Sequence, residues 1–333
     1  MLPEKCQCFL VDKDPSGRVS AGIAAVPVAQ LPSGDVVVRV AYSSLNYKDA
    51  LAAQGHPGVV RRFPHVPGVD AVGTVVESAA ADVPVGAAAL VTGFDMGSAR
   101  WGGFSQYVRI PHAWVVPLPP GLSARESMIY GSAGLTAGLC VHALQHHDVR
   151  PESGPIVVTG ASGGVGSLSV AILAKLGYHV AAITGKPSAH DFLRSLGAAE
   201  ILERGAVDDR SGRPLLSGRW AGGVDTVGSN ILGTVLRAVR NGGCVAACGM
   251  ASGNDLPVTV FPFILRGITL SGIDAAWGPS LALRRAIWGR LADAWRPALL
   301  ESIAQFTRLE NLAAPIADIL AGKIQGRVVV EME

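Results

Sequence analysis

From Asp35 to Ser44 the chain reads DVVVRVAYSS, a run of β-branched and small residues with the character of a strand. QCFLV and AVGTVV (Ala71–Val76) repeat that character between turns that carry glycine and proline. The first third is therefore rich in strands. Near Gly121 the pattern changes. PLPPGLSARESMIYGSAGLTAGLCVHAL presents a proline stop, then Ser123 with Glu126 three residues later, then a long stretch at helical spacing. Beyond it, apolar strands alternate with helices. PIVVTG leads to a helix through SLSVAILAKLG, HVAAIT to a helix through HDFLRSLG, and AEIL, GVDTVG, GGCVAACG and ITLSGI follow. This alternation predicts an α/β domain with a doubly wound parallel sheet and right-handed crossovers, beginning near residue 125.

A chain of 333 residues has room for two domains of ordinary size, and 49% hydrophobic against 16% charged residues is ample for burying a core in each. Lys and Arg number 28 against 26 Asp and Glu, a net charge of +2, and no basic run is present. Nucleic acid and membrane surfaces are thus not expected partners. The first residues lack the charged leader and apolar core of a signal peptide, and no apolar run reads as a membrane span, so a cytoplasmic protein is expected. Cys6, Cys8, Cys140, Cys244 and Cys248 form no disulfide framework and read as reduced, mostly buried thiols.

VTGASGGVGS (Val158–Ser167) stands directly between a predicted strand and a predicted helix. In that context Ser162, Gly163, Gly164 and Val165 read as a cradle for a pyrophosphate, whose charge is favoured by backbone N–H groups and the positive end of the helix dipole. The pattern is a variant, because Ala161 stands where a strict G-x-G-x-x-G has its first glycine. ITGK (Ile183–Lys186) ends the next strand, where an NAD-binding chain would carry a carboxylate for the ribose hydroxyls. Here Thr184, Gly185 and Lys186 lack that acid, and Arg204 follows one strand later, so the expected cofactor is NADPH, its 2′-phosphate met by the Lys186 charge, the Thr184 hydroxyl and the planar fork of Arg204. A solvated surface lysine is the plain alternative for Lys186 alone.

YSSLNYKDALA (Tyr42–Ala52), FPHVPGVDAVGTV (Phe63–Val75), WGGFSQYV (Trp101–Val108), the cradle, GVDTVG, GGCVAACG, PFILRGITLSGID (Pro262–Asp274) and IQGR (Ile324–Arg327) run in one order along nearly the whole chain. Together they resemble the zinc-free quinone-oxidoreductase branch of the medium-chain dehydrogenase/reductase superfamily, and within it the bacterial NADPH-dependent acryloyl-CoA reductases. The resemblance implies a GroES-like β-rich barrel domain over residues 1–125, completed by 296–333, and a Rossmann-type NADPH-binding domain over 126–295. It implies reduction of the conjugated double bond of a short 2-enoyl thioester, acryloyl-CoA to propanoyl-CoA, with an NADPH:quinone or general enone reductase as the alternative. A non-catalytic nucleotide-binding protein is the reading outside that class.

The same resemblance implies the site. Zinc-using members have a cysteine at the position of Asn46 and Gly-His-Glu at Gly68-Val69-Asp70; both are absent, so no metal is expected. Asn46 is assigned to polarising or positioning, Tyr47 to packing and hydrogen bonding at the cofactor, and Asp49 to orienting the site or relaying a proton. Turn and helix-cap chemistry is the plain reading of Asn46 and Asp49. Met250 and Ile264 are matched to apolar cofactor contacts, with core packing as their plain alternative. Arg61 and Arg62 read as surface cover before they read as contacts to coenzyme A phosphates. ITLSGID resembles a strand that pairs across a two-fold axis, which implies a homodimer.

Overall fold

The computed structural model describes residues 2–332. Its N-terminal strands follow the hydrophobic pattern: β1 (Lys5–Lys13) and β2 (Val19–Pro27) form a two-stranded antiparallel ribbon, and β3 (Val36–Leu45) is buried at every valine. The helix α1 (Tyr47–Ala53) follows at once, then β4 (Asp70–Ser78), β5 (Ala88–Thr92), β6 (Tyr107–Ile110) and β7 (Val116–Pro117). β3 is the hinge of this sheet. Its first half pairs with β6 on one edge while β4 runs along the other, with bulges between Val37 and Val38 and between Val40 and Tyr42. Such bulges bend a strand and raise its twist, which is how a sheet of short strands curls around one core.

The long helix α2 (Ala124–His146) starts with the predicted capping box: Glu126 N donates to Ser123 Oγ at 3.1 Å, and Ser123 N to Glu126 Oε2 at 2.9 Å. Unlike the unbroken helix the sequence suggests, it is kinked at Gly131, whose φ of 51° and ψ of −153° are non-helical. The kink is required by packing. A Cβ on Gly131 would lie 2.4 Å from Ser44 Oγ and 2.5 Å from Asp70 Oδ2. By length and composition α2 could cross a membrane, but 89% of its apolar stretch is buried within the protein. It is a core helix, whose length and apolar character serve burial within the protein.

After α2 the strand β8 (Ile156–Val158), helix α3 (Gly164–Lys175), β9 (Val180–Thr184), α4 (His190–Ser195), β10 (Glu200–Glu203), β11 (Trp220–Asp225), α5 (Ser229–Ala238), β12 (Val239–Ala247), α6 (Phe261–Arg266) and β13 (Thr269–Gly272) follow. Their strands form one six-stranded sheet, order β10-β9-β8-β11-β12-β13, and every pairing is parallel. This is the expected doubly wound sheet. The strand order reverses between β8 and β11, and ligands of such sheets bind beyond the strand ends at that point.

Two compact units result: residues up to Ser132 with Ala276–Ala292 and Leu300 onward, and Ala133–Ala275 with Asp293–Leu299. The chain returns to the first unit through α7 (Leu281–Ala292), then β14 (Ala304–Arg308), α8 (Ala313–Leu320) and β15 (Arg327–Glu331). The sheet order there is β14-β15-β3-β4-β5-β7, with β15 antiparallel to the second half of β3. Residues 276–292, which the sequence grouped with 126–295, pack in the first unit for a specific reason. Arg284 is buried there, donating to Thr92 O at 3.0 Å and to Ala276 O, with its guanidinium 4.2 Å over the Phe94 ring.

Candidate active site

Asn46 closes β3 in an extended conformation (φ −120°, ψ 160°) and caps α1, which places Asp49 at the third helical position. Asp49 folds back on the turn: its Oδ2 accepts Asn46 N at 2.8 Å, the acidic half of a capping box. Its Oδ1 accepts Gly68 N at 3.1 Å and Val69 N at 2.9 Å. The chain before β4 can come this close because Gly68 has a φ of +108°; a Cβ there would lie 2.5 Å from Phe104 N. Asp49 is fully buried, and burial first, then the charge of Asp70, push its carboxyl up to about 7. The N–H groups on its oxygens pull the other way, because each prefers a carboxylate.

Asn46 turns its amide inward. Nδ2 donates to Asp70 Oδ2 at 2.7 Å, with Asp49 Oδ2 and Ser44 O at 3.2 Å, while Oδ1 accepts Arg327 at 3.2 Å. Asp70, also fully buried, accepts Ser44 Oγ at 2.6 Å on one oxygen and Ser132 N and Oγ at 2.9 and 2.5 Å on the other. Arg327 completes the cluster. It donates to Ile129 O and Leu45 O, both at 3.1 Å, and to Ser44 Oγ at 2.7 Å, with Asp70 Oδ2 3.9 Å away. Burial pulls the Arg327 pKa down and the two carboxylates hold it up. Asn46 and Asp49 are thus gathered in one buried network, whereas Tyr47 is 55% exposed and lies outside it.

In the second unit, β8 ends in Thr159-Gly160-Ala161-Ser162-Gly163 and α3 begins at Gly164. Gly163 caps the helix in extended conformation, and a Cβ on Gly166 would stand 2.3 Å from Gly160 O, so the turn packs backbone on backbone. The first N–H groups of α3 have no carbonyl a turn earlier to bond, which leaves Gly164, Val165 and Gly166 free to face an anion. Behind the cradle Asp225 accepts Thr159 Oγ1 at 2.6 Å and Gly228 N at 2.7 Å. Its pKa is raised, mainly by burial.

The end of β9 carries the ITGK residues. Parallel pairing sets Glu203 of β10 beside Thr184, so the next residues, Arg204 and Gly185, fall side by side. A Cβ on Gly185 would be 3.1 Å from an Arg204 Nη, so the glycine lets the guanidinium lie against the turn. Lys186 is half-buried there, and desolvation pulls its pKa down. Thr184 is differently placed from the sequence reading. Its hydroxyl is buried, donating to Ser162 Oγ at 3.3 Å and accepting Lys186 N at 3.1 Å, so it shapes the turn. Met250 and Ile264 are 70% and 73% exposed, which sets aside core packing for both.

As zinc ligands the residues here do not fit. Asn46 and Asp70 are turned into the Arg327 network, Cys140 and Cys244 are buried, and among the described residues no group of three His, Cys, Asp or Glu side chains could hold a metal.

A β-rich unit of this topology with a dinucleotide-type parallel sheet defines an oxidoreductase of the medium-chain dehydrogenase/reductase class. The family profile described as alcohol dehydrogenase GroES-like domain matches residues 32–120, and that described as zinc-binding dehydrogenase matches 164–279. Acrylyl-CoA reductase AcuI of Ruegeria pomeroyi is 46% identical over 97% of this chain and 98% of its own. The oxidoreductase yhdH of Salmonella enterica, solved in complex with NADP, is 44% identical with a TM-score of 0.95, over 98% of this chain and 100% of that one. Bacillus subtilis yhfP, solved with NAD bound, is 40% identical with a TM-score of 0.96, over 99% and 100%. The chain belongs to the quinone-oxidoreductase and acrylyl-CoA reductase family of that superfamily.

Asp70, Arg327, Ser44 and Ser132 escaped the sequence reading, as did Asp225 behind the cradle. All five lie in stretches singled out above, Asp70 even as a departure from the zinc-using pattern, but none of those stretches carries a local sign of its partner. Arg327→Met leaves Asp70 buried without its cation and should destabilise the first unit by about 3–5 kcal/mol. Adding Asp70→Asn to Arg327→Met should recover part of that loss in urea unfolding; a strictly additive cycle would show the pair is not coupled.

Proposed function

We propose that the chain is a cytoplasmic reductase that uses NADPH to saturate the conjugated double bond of a short 2-enoyl thioester, acryloyl-CoA to propanoyl-CoA. The observation that carries the cofactor is the Lys186–Arg204 pair around Gly185, where an NAD-specific chain would hold a carboxylate. The 46% identity to an acrylyl-CoA reductase over nearly both whole chains supports the substrate. When bound, NADPH supplies the hydride, which goes to the β-carbon while the α-carbon takes a proton.

Each residue has a task within its own unit. Ser162, Gly163, Gly164 and Val165 hold the pyrophosphate, Lys186 and Arg204 the 2′-phosphate, and Gly185 keeps the space between them clear. Met250 and Ile264 offer exposed apolar surface to the cofactor. In the first unit Tyr47 is the open side chain of the NYKD turn and packs on the ligand. Asn46 and Asp49 are positioning residues: the amide and the carboxylate are tied into the buried network and hold the turn rigid. The five cysteines are free, as a reducing compartment would keep them.

The assembly we propose is a homodimer through β13. That strand is the outer edge of its sheet, and Val260, Phe261 and Leu265 nearby are exposed apolar residues. Light scattering at micromolar concentration should give twice the chain mass, and a monomer throughout would remove this assembly.

Lys186→Ala with Arg204→Ala should weaken NADPH binding by about tenfold or more, a loss of at least about 1.4 kcal/mol, and leave NADH binding nearly unchanged. Equal weakening of both cofactors would assign the pair to the fold. In steady-state assays acryloyl-CoA should oxidise NADPH with far higher kcat/KM than small quinones, and prolonged chelation should not reduce turnover. Efficient quinone reduction with no acryloyl-CoA turnover would make the chain an NADPH:quinone reductase, and zinc-restored activity would overturn the metal-free mechanism.

A further inference from the structure

The first unit carries a cavity of about 770 Å³ whose wall includes Lys48, Arg61, Arg62, Arg100, His65 and Trp101. Among the described residues lining it none is acidic. Part of the wall is held from behind. Arg100 donates to Ser33 O and lies 5.5 Å over the Trp114 ring, and the Trp101 indole N–H is held by Pro64 O at 2.9 Å. His65 is buried with its Nε2 3.1 Å from Gly97 O, and burial pulls its pKa down, so it adds wall rather than charge. Lys48, Arg61 and Arg62 are exposed and make no ion pair among the described residues.

Cations from three separate stretches of chain line one concavity without a carboxylate, so the local charge favours an anion from outside. The volume falls in the range of whole small-molecule sites, larger than a single phosphate needs. A fixed indole beside guanidinium groups suits a base and its phosphates together. Lys48 lies between Tyr47 and Asp49 on α1, so the cavity wall is continuous with the NYKD turn. On sequence alone Arg61 and Arg62 read as surface cover first and as coenzyme A contacts second; a shared cavity favours the second reading.

We propose that this cavity takes the phosphorylated nucleotide end of the coenzyme A thioester, with Arg61 and Arg62 on its phosphates and Trp101 against its base. This rests on the enoyl-thioester reading above and adds the place where the carrier is recognised. Binding energy gathered at this remote end would orient the small acyl group.

The test is calorimetric titration of free coenzyme A into the full chain saturated with NADPH, so that the dinucleotide cradle is filled. Arg61→Ala with Arg62→Ala should raise the Kd by about tenfold, and the two lysine replacements should recover part of it. In parallel, the preference of kcat/KM for acryloyl-CoA over acryloyl-pantetheine should collapse toward parity in the alanine variant. Both arginines are exposed, and urea unfolding checks that the variants are folded. Coenzyme A affinity equal in parent and variant, or none in the parent, overturns the proposal. Arginine-dependent coenzyme A binding without acryloyl-CoA turnover would uphold the cavity and overturn the reaction instead.

Discussion

Arg327 is the cation around which the first unit is organised. It comes from the last strand, yet its donors reach Leu45 at the end of β3, Ile129 in α2 and Ser44 beside Asp70. Taking a guanidinium and two carboxylates out of water is expensive, and mutual attraction offsets that cost only when the remaining donors and acceptors are satisfied. Here they are satisfied by backbone carbonyls, backbone N–H groups and serine hydroxyls. The network therefore ties the two ends of the chain together at the one turn, Asn46 to Asp49, on which the proposed chemistry depends.

The second unit solves a different problem with a simpler device. Its sheet needs no buried ion pair to set the cradle, because strand order and parallel register do so. Pairing of Glu203 with Thr184 places Arg204 against Gly185 without any direct contact being specified. Asp225 is the exception, a buried carboxylate that holds Thr159 and the Gly228 turn on either side of the switch point. A dinucleotide site thus inherits most of its geometry from topology, whereas the NYKD turn inherits its geometry from side chains distant in sequence.

That contrast explains what was legible before the structure. Signals carried within a few residues were read correctly: the Ser123–Glu126 capping box, the strand and helix alternation, and the glycine turn before α3. The link from Asp49 back to Asn46 is equally local, three residues long. The link from Asn46 to Asp70 spans 24 residues and that to Arg327 spans 281, and no local pattern encodes either. The Gly131 kink was hidden for the same reason, since it answers to Ser44 and Asp70 rather than to its own helix. Thr184 was placed in the right turn, but burial of its hydroxyl depends on Ser162, 22 residues earlier.

The network also bears on which reactions the turn can support. In zinc-using members of the superfamily the positions of Asn46 and Asp70 belong to the metal centre, where a cation with an open coordination position can polarise an alcohol or a carbonyl. Here the nearby cation is Arg327, buried and engaged by four hydrogen bonds, so it fixes Asn46 and Asp70 without presenting charge to a ligand. A turn held in this way can orient a reactant but offers little electrophilic activation. The substrates that suit it are those already activated by conjugation, in which the carbonyl of the substrate itself spreads the charge that arrives with the hydride.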